Sequence, residues 1–422
     1  MFELLKTKVS EYSKRYQIDL AYVIKNELWV YLRLGTSLIT GLAVSVVFAR
    51  LASKEVFGQF NFILAILAIV SIASMPGLNT AILRSTARGN EGNYKQAVNK
   101  RFLWSFLGIP ALLAVGAYYY YYNAQIIGIC LMISSIFFPL VFAPNTWDSF
   151  LAGKKRFDLT ARYGMVQSSI SAAAIIGILF LNANHLVLIF AIHLIITSLL
   201  ACLLYWRSLK YIENKVKDDE FIRYGYFLTT TNITGILAQH VDKILIGILL
   251  GAPQLAIYTI AIIIPTKIKD MAKMFWSPFH PKISEQDTKI VEVRGKIKKL
   301  VLPLALAVLG GSLLYWLFID DIMLLFFSNK YIESIKFAKI LLLMILASIP
   351  TSFLGTFAIA KKATRSIILG YHISPFLKLL IMFGFIYQWG VWGAVWGLNL
   401  SVAVQALLIG VGIGSEEWSR ES

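Results

Sequence analysis

The stretch Asp242-Lys-Ile-Leu-Ile-Gly-Ile-Leu-Leu-Gly251, running on through Ala-Pro-Gln-Leu-Ala-Ile to Tyr258, sets an adjacent acid and base inside a long apolar helix, just ahead of a tight turn. An ionisable side chain at membrane depth costs roughly 2.5 kcal/mol or more, so it normally faces a bundle interior or a wet cavity rather than lipid. Asp242 and Lys243 are therefore the first pointer to function.

The chain around them confirms the solvent. Of 422 residues, 58% are hydrophobic and only 15% are charged, and the mean hydropathy is +0.68. Apolar runs of about 20 residues, each long enough to cross roughly 30 Å of hydrocarbon, recur so often that little length remains for a soluble domain. The ten-residue alternation of a membrane β-barrel is absent, so helices must satisfy the backbone. The expected fold is an all-α integral membrane protein of about twelve transmembrane helices. Spans are expected near 28–50, 57–82, 101–121, 125–147, 163–182, 185–206, 224–250, 255–280, 299–319, 337–358, 366–387 and 390–412.

Basic residues orient these spans. Lys6, Lys8, Lys14, Arg15 and Lys25 precede the first, and the basic stretches Arg84 to Arg101, Lys154 to Arg162, Arg207 to Arg223, Lys267 to Lys299 and Lys361 to Arg365 fill every second connection. The other connections are nearly bare of charge, with Arg50, Lys54, Lys330, Lys336 and Lys339 the main exceptions. The positive-inside rule then puts both termini in the cytoplasm. The same topology accounts for the net charge of +17, which is spread over loops and headgroup contacts rather than gathered into a nucleic-acid-binding face.

Residues 1–27 read as a cytoplasmic amphipathic segment, followed by an N-terminal six-helix lobe at 28–209, a charged linker at 210–223, a C-terminal six-helix lobe at 224–413 and a tail at 414–422. The lobes echo one another. Arg50-Leu-Ala-Ser-Lys-Glu-Val-Phe-Gly-Gln-Phe60 and Leu250-Gly-Ala-Pro-Gln-Leu-Ala-Ile-Tyr258 occupy equivalent turns, with Gly58 matching Ala256 and Phe60 matching Tyr258. Six spans per copy make the repeat parallel, the arrangement of a transporter whose pathway lies between two lobes. The alternative is chance likeness between short interfacial turns.

Polar residues within the spans mark candidate pathway positions. Thr229, Asn232, Gly235, Gln239 and Asp242 follow helical spacing, with Lys243 and His240 at the margins of their stripe. Lys267, Lys269, Asp270 and Lys273 lie on the next span, and Lys378 has apolar helix on both sides. Each either lines a cavity or forms a structural pair; mid-span Lys378 favours the cavity because its ammonium cannot easily snorkel to a headgroup. Arg33, Arg84 and Arg88, near cytoplasmic span ends, fit interfacial anchoring as well as substrate contact. Cations outnumber acids, so the pathway is expected to be electropositive and suited to phosphate, which lysine meets as a point charge and arginine bidentately. No catalytic, metal-binding or nucleotide-binding motif is present. No cofactor is expected, and any driving force would come from a proton or sodium gradient or the membrane potential, with Asp242 and Asp270 the coupling candidates.

The two turn sequences above, with Gly77-Leu-Asn-Thr-Ala-Ile-Leu-Arg84, Leu151-Ala-Gly-Lys-Lys-Arg-Phe157 and the run from Asp242 to Tyr258, together resemble the bacterial polysaccharide flippases of the multidrug, oligosaccharidyl-lipid and polysaccharide exporter superfamily. The resemblance implies an inner-membrane flippase for O-antigen or capsule repeat units. Such a protein moves undecaprenyl-pyrophosphate-linked oligosaccharide to the periplasmic leaflet by alternating access through a cationic cavity, to which Lys243, Lys267 and Lys378 would contribute. A polysaccharide polymerase and a chain-length regulator would be partners. Ala52 departs from the glycine frequent in the family. A cation-coupled multidrug exporter of the same fold is the alternative; a membrane-embedded polymerase or ligase fits less well, since the outer connections are short.

Overall fold

The structure, a computed structural model, describes residues 20–122, 124–275 and 290–421, without the side chains of 20–27, 270–275, 290–305, 307, 308 and 416–421. The amphipathic character expected of 1–27 and the side chains of Asp270 and Lys273 lie outside the described residues. The regular structure is helical: α1 Leu20–Leu51, α2 Lys54–Val70, α3 Gly77–Ala87, α4 Asn93–Ser105, α5 Gly108–Tyr121, α6 Gln125–Phe142, α7 Trp147–Gly153, α8 Phe157–Asn182 and α9 Leu186–Leu209. It continues with α10 Phe221–Leu249, α11 Ala252–Phe275, α12 Ile290–Phe327, α13 Glu333–Leu341, α14 Leu343–Ala360, α15 Thr364–Ile368 and α16 Ser374–Glu421, the last broken at Gly390.

Among the described residues nine helical stretches are long and apolar enough to cross a membrane, the last of them the 52 residues Thr364–Ser415 that include the Gly390 break. Helices α10 and α11 are not among the nine; they carry the polar and charged residues that the sequence singles out. The chain forms two compact units. The first holds residues up to Val44, Val70–Asn182 and Val187–Thr230; the second holds Ser45–Ile69, Ala183–Leu186 and Thr231 onward.

In the first unit, helices break where the sequence suggests continuous spans. The span expected at 57–82 stops after α2, passes through a 3-10 turn at Ser71–Ser74 and restarts as α3, because Met75 adopts φ 53° and Pro76 brings no N–H. The span expected at 125–147 breaks likewise at Pro144, leaving a short turn before α7. One buried guanidinium bonds to both breaks. Arg101 donates to the Ser74 carbonyl (3.0 Å), Ser74 Oγ (3.2 Å), Asn79 Oδ1 (2.6 Å) and Thr146 Oγ1 (2.9 Å). Irregular backbone at membrane depth is tolerated only where protein groups satisfy it, and Arg101 supplies those donors.

The charged linker is pinned to the same unit. Lys154 Nζ bonds Glu91 Oε1 (2.7 Å) and Glu213 Oε1 (2.9 Å), while the Glu213 backbone N–H donates to Glu91 Oε2 (2.6 Å). Burial by itself would raise the Glu91 pKa, but the Lys154 hydrogen bond, the backbone N–H groups of Glu213 and Asn214 and the Lys154 charge outweigh it and hold the carboxyl below its ordinary value. Lys154 is shifted upward by the same carboxylates despite its burial.

In the second unit, the two turns that the sequence pairs pack on one another. A methyl on Gly58 would stand 1.8 Å from the Ala252 carbonyl oxygen, so only glycine allows this approach. The cations that break the charge alternation have structural work nearby. Arg50 donates to the Phe326 carbonyl (3.2 Å) and to that of Leu325, closing the C-terminus of α12, and Lys330 returns a bond to the Arg50 carbonyl (3.1 Å). Cations at helix C-termini satisfy unpaired carbonyls and complement the dipole.

Two outcomes follow from this packing. Gly58→Ala should lower thermal stability in detergent by about 1–3 kcal/mol, because the opposing group is backbone, whereas Gly35→Ala, facing open space, should be neutral or stabilising by about 0.5–1 kcal/mol; equal melting points for both would refute the close-approach reading. Because the folded Glu91 pKa lies below its unfolded value, the linker clamp should contribute fully above about pH 4.5 and be lost as pH falls through the folded pKa. Hydrogen-exchange protection factors at 211–218, corrected for the intrinsic rate at each pH, should fall on acidification in the native chain, and Glu91→Gln should remove that dependence.

Candidate functional site

Helices α10 and α11 meet at Gly251, whose φ of 85° suits glycine, and Pro253 follows in the first turn of α11, where no helical donor is lost. Asp242 lies about 14 Å before the turn and Tyr258 about 10 Å after it at 1.5 Å per residue, so the two come within about one helical turn of the same height. The Tyr258 hydroxyl donates to Asp242 Oδ2 (2.8 Å), and the Lys243 backbone N–H donates to Oδ1 (2.9 Å). Both residues are buried, Asp242 at 4% and Tyr258 at 0% exposure. The acid is thus held by a phenol rather than by its neighbour's ammonium, since consecutive helical residues point roughly 100° apart.

Cations surround this carboxylate. Lys378 lies within electrostatic reach of Asp242 and Lys269, and His240 within reach of Lys243, Asp242 and Lys378. Lys243, Lys269 and Lys378 are all half-buried. Among the described side chains, Lys243 and Lys378 lie near this carboxylate and Lys269 lies near Lys378, which leaves a local excess of positive charge inside a low-dielectric protein.

The backbone ahead of Lys378 is a π-helical turn, Leu369–Ile373, in which the Ser374 N–H reaches back to the Leu369 carbonyl. Pro375 explains the turn: it has no N–H for the carbonyl four residues earlier, so the register slips by one. The Gly370 carbonyl takes a bond from Gln405 Nε2 at 3.0 Å, which satisfies the widened turn. Such π turns recur at functional sites.

Other residues singled out by the sequence fall elsewhere. Lys267 is two positions from Lys269 and points to roughly the opposite side of α11 at 100° per residue. Asn232 and Gln239 are exposed on α10, with open space over Gly235 between them. Thr229, from the same stripe, is buried and accepts the Gly77 N–H at 3.0 Å, a packing role. Arg33 forms a two-pronged ion pair with Asp148 at 2.7 and 3.1 Å. Arg84 lies over the Tyr224 ring at 4.7 Å, and Arg88 is exposed at the end of α3.

Two participants escaped the sequence reading. Tyr258 reads there only as the counterpart of Phe60, although its position within about one helical turn of Asp242's height, on the other side of Gly251, was a usable signal. Arg101 reads as the edge of a basic loop, and nothing in its neighbours marks it as buried.

A family model described as polysaccharide biosynthesis protein matches residues 47–336. A Shigella flexneri protein named "Putative O-antigen transporter" is 22% identical over 417 residues, an alignment covering 92% of this chain and 96% of the relative. Among solved structures, the lipid II flippase MurJ in an inward closed conformation aligns with a TM-score of 0.67 at 15% identity, covering 92% of this chain and 86% of MurJ. An inward-facing multidrug resistance transporter of the MATE family, in the MOP superfamily, aligns with a TM-score of 0.61 at 15% identity, covering 93% and 97%. These structural likenesses establish a shared fold. With more than half of its length inside the family match, the chain is a multi-pass membrane member of the polysaccharide biosynthesis protein family.

Proposed function

We propose that this protein is a flippase that carries undecaprenyl-pyrophosphate-linked oligosaccharide repeat units from the cytoplasmic to the periplasmic leaflet of the bacterial inner membrane. The observation carrying this reading is the group of lysines in which Lys378 lies in reach of both Asp242 and Lys269, with Lys243 beside them. A diphosphate is the natural guest for such an excess of ammoniums, which meet it as point charges in a low-dielectric setting. The family match, the O-antigen transporter relative and the fold shared with a lipid II flippase support the lipid-linked substrate.

In this account twelve spans form two lobes with both termini cytoplasmic, and alternating access moves the headgroup while the lipid tail stays in the bilayer. Lys267, Asn232 and Gln239 would meet the sugar or diphosphate along the path, and Arg33, Arg84 and Arg88 would act where it enters. Asp242 sets the charge balance. Its protonation would weaken the acceptor for Tyr258 and increase the net positive charge on the cluster, which makes it, with Asp270, the coupling candidate for protons or sodium. The polymerase and chain-length regulator that use the product would be functional partners. A second reading, a cation-coupled drug exporter, rests on the buried Asp242 carboxylate and the fold shared with multidrug transporters.

Complementation of a clean deletion tests the proposal. Lys378→Ala combined with Lys243→Ala should abolish surface polysaccharide with normal membrane insertion, and Lys→Arg at both positions should retain part of it. Normal polymer from the double alanine variant would overturn the assignment of these lysines, and loss of drug resistance with unchanged surface glycan would favour the exporter.

A further inference from the structure

A second site lies away from the charged cluster, within the same unit. Past the Gly390 break, α16 presents Trp392, Trp396, Leu400 and Ala403 on one stripe, and Leu343, Leu346 and Ala347 of α14 form the facing wall of an apolar groove of about 840 Å³. That volume falls in the roughly 300–1,000 Å³ range of small-molecule sites. From Trp392 to Ala403 the stripe runs about 16 Å at 1.5 Å per residue, close to the roughly 15 Å of hydrocarbon in one leaflet of a 30 Å core. The groove therefore has the depth of one acyl chain.

Its head end carries a charge. Lys336 is exposed, with its ammonium 5.4 Å from the centre of the Trp392 ring and 5.2 Å from that of Phe337. One turn on, Lys339 is neutralised by Asp320 at 2.9 Å. Lys336 has no carboxylate within 4.0 Å among the described residues, so its charge is available to a ligand at the mouth. Aromatic rings beside a cation hold the ammonium at the polar boundary while their bodies face hydrocarbon.

We infer that this groove is a binding site for an anionic glycerophospholipid, with an acyl chain along Trp392, Trp396 and Leu400 and the headgroup phosphate against Lys336. The inference is independent of the flipping reaction, since the site shares no residue with the lysine cluster. One lysine near a charged surface gives an affinity preference of about fivefold for an anionic over a zwitterionic lipid.

The full chain reconstituted in phosphatidylcholine vesicles, with a small fraction of brominated phosphatidylglycerol or brominated phosphatidylcholine, reports the site through tryptophan quenching. Brominated phosphatidylglycerol should quench at about one fifth of the mole fraction that brominated phosphatidylcholine requires. Lys336→Gln should abolish the preference, and so should Ala347→Phe, which fills the groove and leaves the charge in place. Trp392→Phe with Trp396→Phe should remove the preferentially quenched emission. Equal quenching by the two lipids, or a preference that survives both Lys336→Gln and Ala347→Phe, would overturn the assignment. Displacement of the brominated phosphatidylglycerol by equimolar undecaprenyl phosphate would overturn the choice of a phospholipid as occupant.

Discussion

Hydrocarbon offers no hydrogen bonds, so each backbone group freed by a helix break and each ionised side chain in a spanning protein must find its partner within the chain. That constraint accounts for the features that distinguish this fold from a plain bundle. Arg101 satisfies the broken backbone at Ser74 and also holds Thr146. Arg50 and Lys330 exchange bonds with the carbonyls at the ends of α12 and α1. Gln405 completes the π turn at Gly370, and Tyr258 completes Asp242. In each case the partner is distant in sequence or lies across a turn.

Among the described side chains, the lysine cluster meets this constraint only in part. A structural ion pair would match each ammonium with a carboxylate; here Asp242 is shared among several cations and is also occupied by a phenol. Excess charge of one sign inside a protein is costly unless something of the opposite sign visits it. In the proposed function that visitor is the diphosphate of the substrate, with Asp242 offsetting part of the positive charge.

The membrane class and helical backbone were legible from composition and the length of the apolar runs, since those depend on local chemistry alone. Lys378, Lys243 and Asp242 stood out for the same reason: a charge in an apolar run needs no neighbour to be conspicuous. What the chain did not announce is which charges meet. Asp242 and Lys243 are adjacent in sequence, but adjacent helical positions diverge, and the hydroxyl that holds the acid is that of Tyr258 across the turn. Lys267 and Lys269 look equivalent in sequence, yet helix geometry turns one away from the other. Arg101, at the end of a basic stretch, resembles loop charge because its acceptors come from segments 22 to 45 residues away.

The most direct measurement is flipping by the purified protein in vesicles, using a fluorescent undecaprenyl-diphosphate oligosaccharide made accessible to an external quencher or enzyme on crossing. The account predicts protein-dependent translocation that is lost with Lys378→Ala and restored in part by Lys378→Arg. It also predicts competition by inorganic pyrophosphate on the loading side. Translocation at the native rate by Lys378→Ala, with correctly folded protein in the membrane, would contradict the claim that this cationic cluster handles the diphosphate.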